Sequence, residues 1–207
     1  MIDVYVGPTN NAMRATIALA ESGLPHRIHK LDLRKGEQHG AAFKKIHDSE
    51  RVPVIVDRDG PGGKPVTLSQ SGAILIYVAN KVGKFWPKTD AGKVTALEWV
   101  MHACTDAAPL SGVIFQSQHF APVKTPENVA YFENRLVSVL AEADRRLAAR
   151  PYLADELSVA DFALFPVVKF WHELVEVREL RHLTAWAAEL GKRPGVQLDK
   201  LSASSRR

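Results

Sequence analysis

Ser71 and Val52 are the residues whose types and surroundings could do chemistry on a small peptide. The run Ser69-Gln70-Ser71-Gly72 precedes the apolar Ala73-Ile74-Leu75-Ile76-Tyr77-Val78. A polar residue at such a junction opens a helix whose first N–H groups carry partial positive charge, which makes a socket for a carboxylate. Upstream, Arg51-Val52-Pro53-Val54-Ile55-Val56-Asp57 is a short β-branched run and reads as a buried strand. Proline near its start gives no N–H to a ladder, and a cis Val52-Pro53 bond would turn the N–H and C=O of Val52 outward. Such an edge pairs with a short extended peptide as an added strand. Peptide edge and carboxylate socket are thus expected side by side.

The elements that must hold them follow from the surrounding pattern. Arg58-Asp59-Gly60-Pro61-Gly62-Gly63-Lys64-Pro65 reverses the chain, Val66-Thr67-Leu68 returns as a hairpin partner, and the Ser71 helix stops at Gly83. Ile2, Val4 and Val6 alternate with Asp3 and Tyr5 as in a strand with two unlike faces. A helix carrying Met13, Ile17 and Leu19 follows and ends at Gly23-Leu24-Pro25; His26 to Leu33 reads as a second strand, and Lys35 to Asp48 as loop and short helix. Residues 1–83 therefore read as βαβαββα, a thioredoxin-like order. Residues 84–90, with Trp86-Pro87-Lys88, read as a linker, and residues 91–207 as an all-helical domain. There Val94, Leu97, Met101, Cys104 and Ala108 step by three and four, as do Val129, Phe132, Leu136, Val139, Ala143 and Leu147. Such stripes predict helices burying one side, with Cys104 a small core residue. Ser158-Val159-Ala160-Asp161 is a capping box for a further helix, so Asp161 serves folding and not acid catalysis. Pro166 kinks or bounds that helix, Arg193-Pro194-Gly195 closes the last one, and Ser202–Arg207 frays.

Composition narrows the function classes. At 207 residues and 46% hydrophobic content the chain can bury one or two cores. No long apolar run marks a membrane span and no basic, apolar leader precedes the first strand, so a cytoplasmic location is expected. One cysteine excludes a disulfide framework, a CxxC pair and a cysteine-rich metal site. A net charge of +4 with scattered basic residues argues for attraction of a small anion and against nucleic acid. His102 and His172 have no partners at ligand spacing, so no metal is expected.

Strand, Val52-Pro53, hairpin and Gln70-Ser71-Gly72-Ala73-Ile74 together resemble the glutathione site of the cytosolic glutathione transferases. Pro8-Thr9-Asn10-Asn11, Lys35-Gly36-Glu37-Gln38 and Gln116-Ser117-Gln118-His119-Phe120 resemble the bacterial Nu-class, Ure2-like branch. The resemblance implies that Ser71 holds the γ-glutamyl carboxylate and Gln70 the amino group, where close relatives carry Glu. Val52 pairs with the cysteinyl unit, and Gln38 bonds near the glycine end, with Lys35 or Arg51 for its carboxylate. It implies that Thr9 and Asn11, in the loop before the first helix, stabilise the thiolate by hydrogen bonds, since neither is a base at neutral pH. Tyr5 lies inside the first strand and reads as a packed residue. Arg135, in Tyr131-Phe132-Glu133-Asn134-Arg135, matches an arginine that reaches glutathione across a homodimer. His119 and Phe120 are candidates for a co-substrate pocket. The activity implied is glutathione-dependent reduction of small disulfides, with peroxide reduction and weak conjugation beside it. The alternative is a noncatalytic binding or assembly module of the same fold.

Overall fold

Ile2, Val4 and Val6 do place a strand at the centre of a sheet. In the computed structural model, which describes residues 1–197, β1 (Ile2–Val6) pairs parallel with β2 (His26–Lys30) and antiparallel with β3 (Val54–Asp57). β3 pairs antiparallel with β4 (Val66–Ser69), giving the order β2-β1-β3-β4. The second strand is shorter than expected: Leu33–Lys35 is a separate single turn, capped by the Asp32 carboxylate. β1 is also buried on both faces, because Asp3 turns inward to the His29 ring (2.8 Å) and the Arg58 guanidinium (3.2 Å). Tyr5 stacks on His29 with centroids 4.6 Å apart and meets Phe43 edge-on. It is a packed residue.

The helices of this unit are α1 (Asn10–Ser22), the short α2 (Ala41–Lys44) and α3 (Ser71–Val82). Gly23 and Gly83 end α1 and α3 at φ 74 and 64, where a side chain would be strained. The order βαβαββα is the thioredoxin-like one expected. One element lies elsewhere than predicted. Pro194 does not close the last helix but opens a further turn, α10 (Pro194–Gln197), which packs on α1. The chain accordingly divides into Met1–Lys84 with the segment from Lys192, and Phe85–Gly191, whereas the pattern assigned the whole C-terminal stretch to the helical domain. The reason is Glu21: it takes hydrogen bonds from Arg193 Nε (2.9 Å) and the Gly195 N–H (2.8 Å), and a Cβ at position 195 would come within 2.7 Å of it. The tail expected to fray at Ser202–Arg207 lies outside the described residues.

The second unit is helical throughout its described length apart from the loops. It runs through α4 (Asp90–Met101), a π-helical turn (His102–Ala107), α5 (Ala108–His119), α6 (Pro126–Leu147), α7 (Val159–Phe170), α8 (His172–Val177) and α9 (Arg181–Leu190). The supposed linker belongs here: Phe85 packs edge-on against Phe162 and its carbonyl accepts the Val159 N–H. α7 is the axis of this core, buried from Val159 to Val168, and it continues past Pro166. The capping box forms as predicted, with Asp161 accepting from the Ser158 N–H at 2.9 Å, and the same carboxylate also takes the Leu153 N–H and Trp186 Nε1. The first apolar stripe does not bury its predicted side. Ala96, Val100, Ala103 and Ala107 face the core, while Val94, Leu97 and Met101 are 68%, 43% and 41% exposed and Cys104 is half-buried. Small alanines let neighbouring helices approach closely, which leaves the larger side chains outside.

Candidate functional site

Two helix N-termini meet in the first unit. Thr9 is the N-cap of α1 and its Oγ1 accepts the Ala12 N–H at 3.1 Å, so its lone pair serves folding while the hydroxyl hydrogen stays available. Asn11 is not in the preceding loop, as expected, but in the first turn of α1, where it is exposed. Ser71 is the first residue of α3, and Gln70 before it sits at φ 66, ψ 111, a backbone state that is uncommon for a side-chain-bearing residue and clusters at functional sites. The twelve residues of α3 give its first N–H groups the full polarity of a helix end.

Arg14 joins the two. It is 1% exposed, and its Nη1 donates to Asn11 Oδ1 at 2.9 Å and to Ser71 Oγ at 3.2 Å, the latter 57 residues further along the chain than Arg14. Sequence reasoning passed over it. The available signal was a single cation inside Ala12-Met13-Arg14-Ala15-Thr16-Ile17, a place where an unpaired charge would be costly.

The peptide edge lies at the start of β3. The Val52-Pro53 bond is cis. The β3 ladder begins at Val54, which faces Tyr5 on one side and Ser69 on the other, so Val52 lies beyond it. Just upstream, Glu50 adopts φ 54 and is tied by Lys44 Nζ (3.0 Å) and His39 Nδ1 (2.5 Å), which hold its carboxyl below the usual range. His39 Nε2 in turn lies 3.0 Å from Gln38 Nε2. Gln38 Oε1 is buried without a partner. Lys35 and Arg51, the candidates for a second carboxylate, are exposed, with Lys35 Nζ 3.7 Å from Asp32.

The hairpin behind the edge is anchored by Asp57. Burial opposes its ionisation, but hydrogen bonds from Tyr77 (2.7 Å) and Lys81 (2.9 Å) outweigh this and hold its carboxyl below its ordinary value. Burial and the Asp57 carboxylate in turn push the Tyr77 phenol up. Burial, then Asp3, does the same to Tyr5, which removes both tyrosines from acid–base work near neutrality.

Asn11, Gln70 and Ser71 are thus brought to one pair of helix ends, with Thr9 as the adjoining cap, while Val52 and Gln38 lie on the segment leading into β3 and on the turn braced to it. Arg135 is in the second unit, exposed on α6, and makes no ion pair among the described residues; its neighbour Asn134 accepts from Arg178 at 2.8 Å. His119 and Phe120 form an aromatic cluster with Phe115 in that unit, with Phe120 73% exposed. Among the described residues, no group of three His, Cys, Asp or Glu side chains is placed to hold a metal ion.

Comparison with known proteins decides the family. The glutathione S-transferase N-terminal domain model matches residues 10–81. Disulfide-bond oxidoreductase YfcG of Escherichia coli is 31% identical over 209 residues, covering 92% of this chain and 97% of that protein. The chain belongs to the glutathione transferase family. Among solved transferases, one from Pseudomonas putida with one glutathione disulfide bound per subunit superposes with a TM-score of 0.89 at 30% identity, over 95% of this chain and 89% of that one. Another, from Burkholderia graminis with two glutathione molecules per subunit, gives 0.90 at 30% identity, over 100% of this chain and 89% of that one. The matched residues 10–81 include Asn11, Gln38, Val52, Gln70 and Ser71 of this transferase.

Proposed function

We propose that this transferase binds glutathione on its first unit and uses the thiolate to reduce small disulfides. The observation that carries the reading is the convergence of Asn11 and the α3 N-terminus at Ser71 on the buried Arg14. That convergence sets donors for two anions, a thiolate and a carboxylate, on adjacent helix ends. Ser71 takes the γ-glutamyl carboxylate, Gln70 the amino group, Val52 the cysteinyl backbone and Gln38 the glycine end. Asn11 and the Thr9 hydroxyl donate to the sulfur and lower its pKa. A glutathione thiolate attacks one sulfur of the substrate disulfide, expels the other as thiolate and leaves a mixed disulfide. A second glutathione thiolate attacks the glutathione sulfur of that adduct, releasing the substrate's second thiol and glutathione disulfide. No protein cysteine takes part, in keeping with one half-buried Cys104 on a helical turn. The name of the YfcG relative supports disulfide reduction, the glutathione and glutathione disulfide bound in the solved transferases support the ligand, and we place the chain in the Nu-class, Ure2-like branch.

The chain acts as a homodimer in this proposal. The exposed Val94, Leu97 and Met101 on α4 supply an apolar strip for a second copy, and Arg135 reaches the partner's glutathione. Peroxide reduction and weak conjugation use the same thiolate, and the reducing cytoplasm supplies it. Steady-state reduction of a small dialkyl disulfide by glutathione, coupled to regeneration of glutathione, tests the proposal alongside calorimetry with reduced and oxidised glutathione. Turnover with saturable binding is expected. Binding with no turnover of disulfide, peroxide or electrophile would make the chain a noncatalytic module instead.

A further inference from the structure

We infer that Arg14 is a positioning residue of the glutathione site, one that sets the hydrogen-bonding sense of both Asn11 and Ser71. The inference rests on the glutathione reading above and deepens it. A guanidinium has donors and no acceptor. Its contact with Asn11 at 2.9 Å must therefore be to the amide oxygen, and this fixes the otherwise two-fold amide with its NH2 turned away from Arg14. Asn11 is exposed, so that NH2 is presented outward as a donor. The contact with Ser71 Oγ at 3.2 Å occupies a lone pair of the hydroxyl and leaves its hydrogen to point at another acceptor. One buried cation thus converts two ambivalent polar groups into outward donors, each suited to an anion.

The charge acts in the same direction. Arg14 is fully buried between α1 and α3, where water screens it poorly, and a cation within a few ångströms of a thiol or carboxyl favours the ionised form. Without Arg14 the Asn11 amide is free to rotate and present its carbonyl oxygen, which repels a thiolate. The same loss lets the Ser71 hydroxyl turn its hydrogen back into the protein.

The test uses the full chain with two probes: reduced glutathione, whose bound thiolate is followed by ultraviolet absorbance against pH, and S-methylglutathione, which has no ionisable sulfur. Arg14→Gln is expected to raise the pKa of the bound thiol by roughly one unit or more and to weaken S-methylglutathione about tenfold through Ser71. In an Asn11→Ala background, Arg14→Gln should move the thiol pKa by much less than it does alone, because the two act as one unit. Arg14→Lys keeps the charge but has a single compact ammonium, so it should fold and disturb at least one of the two readouts. That variant keeps the test decisive should Arg14→Gln not fold. A folded Arg14 variant with both wild-type thiol pKa and wild-type S-methylglutathione affinity would overturn the inference, and so would full additivity with Asn11→Ala. If the wild-type chain binds neither probe, the glutathione reading itself fails.

Discussion

Ser71 and Asn11 meet different parts of the proposed ligand, and their substitutions should separate accordingly. Ser71→Ala removes a hydrogen bond to a carboxylate present in both ground and transition states, so it should raise the KM for glutathione by between roughly tenfold and a hundredfold and leave kcat close to wild type. Asn11→Ala removes a donor to the sulfur, whose charge decides the rate, so kcat should fall by a similar factor with little change in affinity for S-methylglutathione. Equal losses in both parameters for both variants would contradict this division. Thr9→Ala is a less clean probe. Its Oγ1 caps α1, and losing an N-cap costs about 0.5–2 kcal/mol on its own. At this scale the sequence was informative about Ser71 and Gln70, because local helix-start chemistry names them. For Arg14 it offered only a hint, a lone cation in an apolar stretch; its partners at positions 11 and 71 are not legible from any local pattern.

Among the elements, α7 has the most legible origin and the most exacting requirement. Ser158 and Asp161 form their box within four residues, which is why spacing alone revealed it. The structure adds that Asp161 also takes the Leu153 N–H and the Trp186 indole N–H, at 3.1 and 3.0 Å. Asp161→Ala should therefore cost more than an ordinary cap, since buried donors on the preceding loop and on α9 are orphaned as well. A loss of at least about 2 kcal/mol is expected, read as a fall in Tm of roughly 5 °C or more. A fall no larger than that of Ser158→Ala would mean the extra donors find other partners. The α4 stripe is the opposite case. Its period correctly announced a helix, but the period cannot say which of two semi-apolar faces is covered. Ala96, Val100, Ala103 and Ala107 lie inside because small side chains permit close helix packing, and that preference depends on neighbours far away in sequence.

For the whole molecule, the exposed faces of Val94, Leu97 and Met101 give the proposed dimer a direct test. Leu97→Glu places a charge in the middle of the strip, so light scattering after size-exclusion chromatography should show a dimer for the parent chain, as proposed, and a monomer for the variant. If Arg135 serves the partner's glutathione, the disulfide reductase activity should fall with it. An unchanged mass for Leu97→Glu would move the interface elsewhere. The sequence by itself determined the order of elements, the helix start at Ser71 and the capping box of α7, because each is set by interactions among residues a few positions apart; it left the isomer of the Val52-Pro53 bond open, and the structure decided it as cis. Only the tertiary structure decided that Arg193 and α10 return to pack on α1 through Glu21, which face of α4 is buried, and that Arg14 unites Asn11 with Ser71. Those outcomes depend on which surfaces meet when the chain closes on itself, and contacts across more than fifty residues leave no periodicity to read.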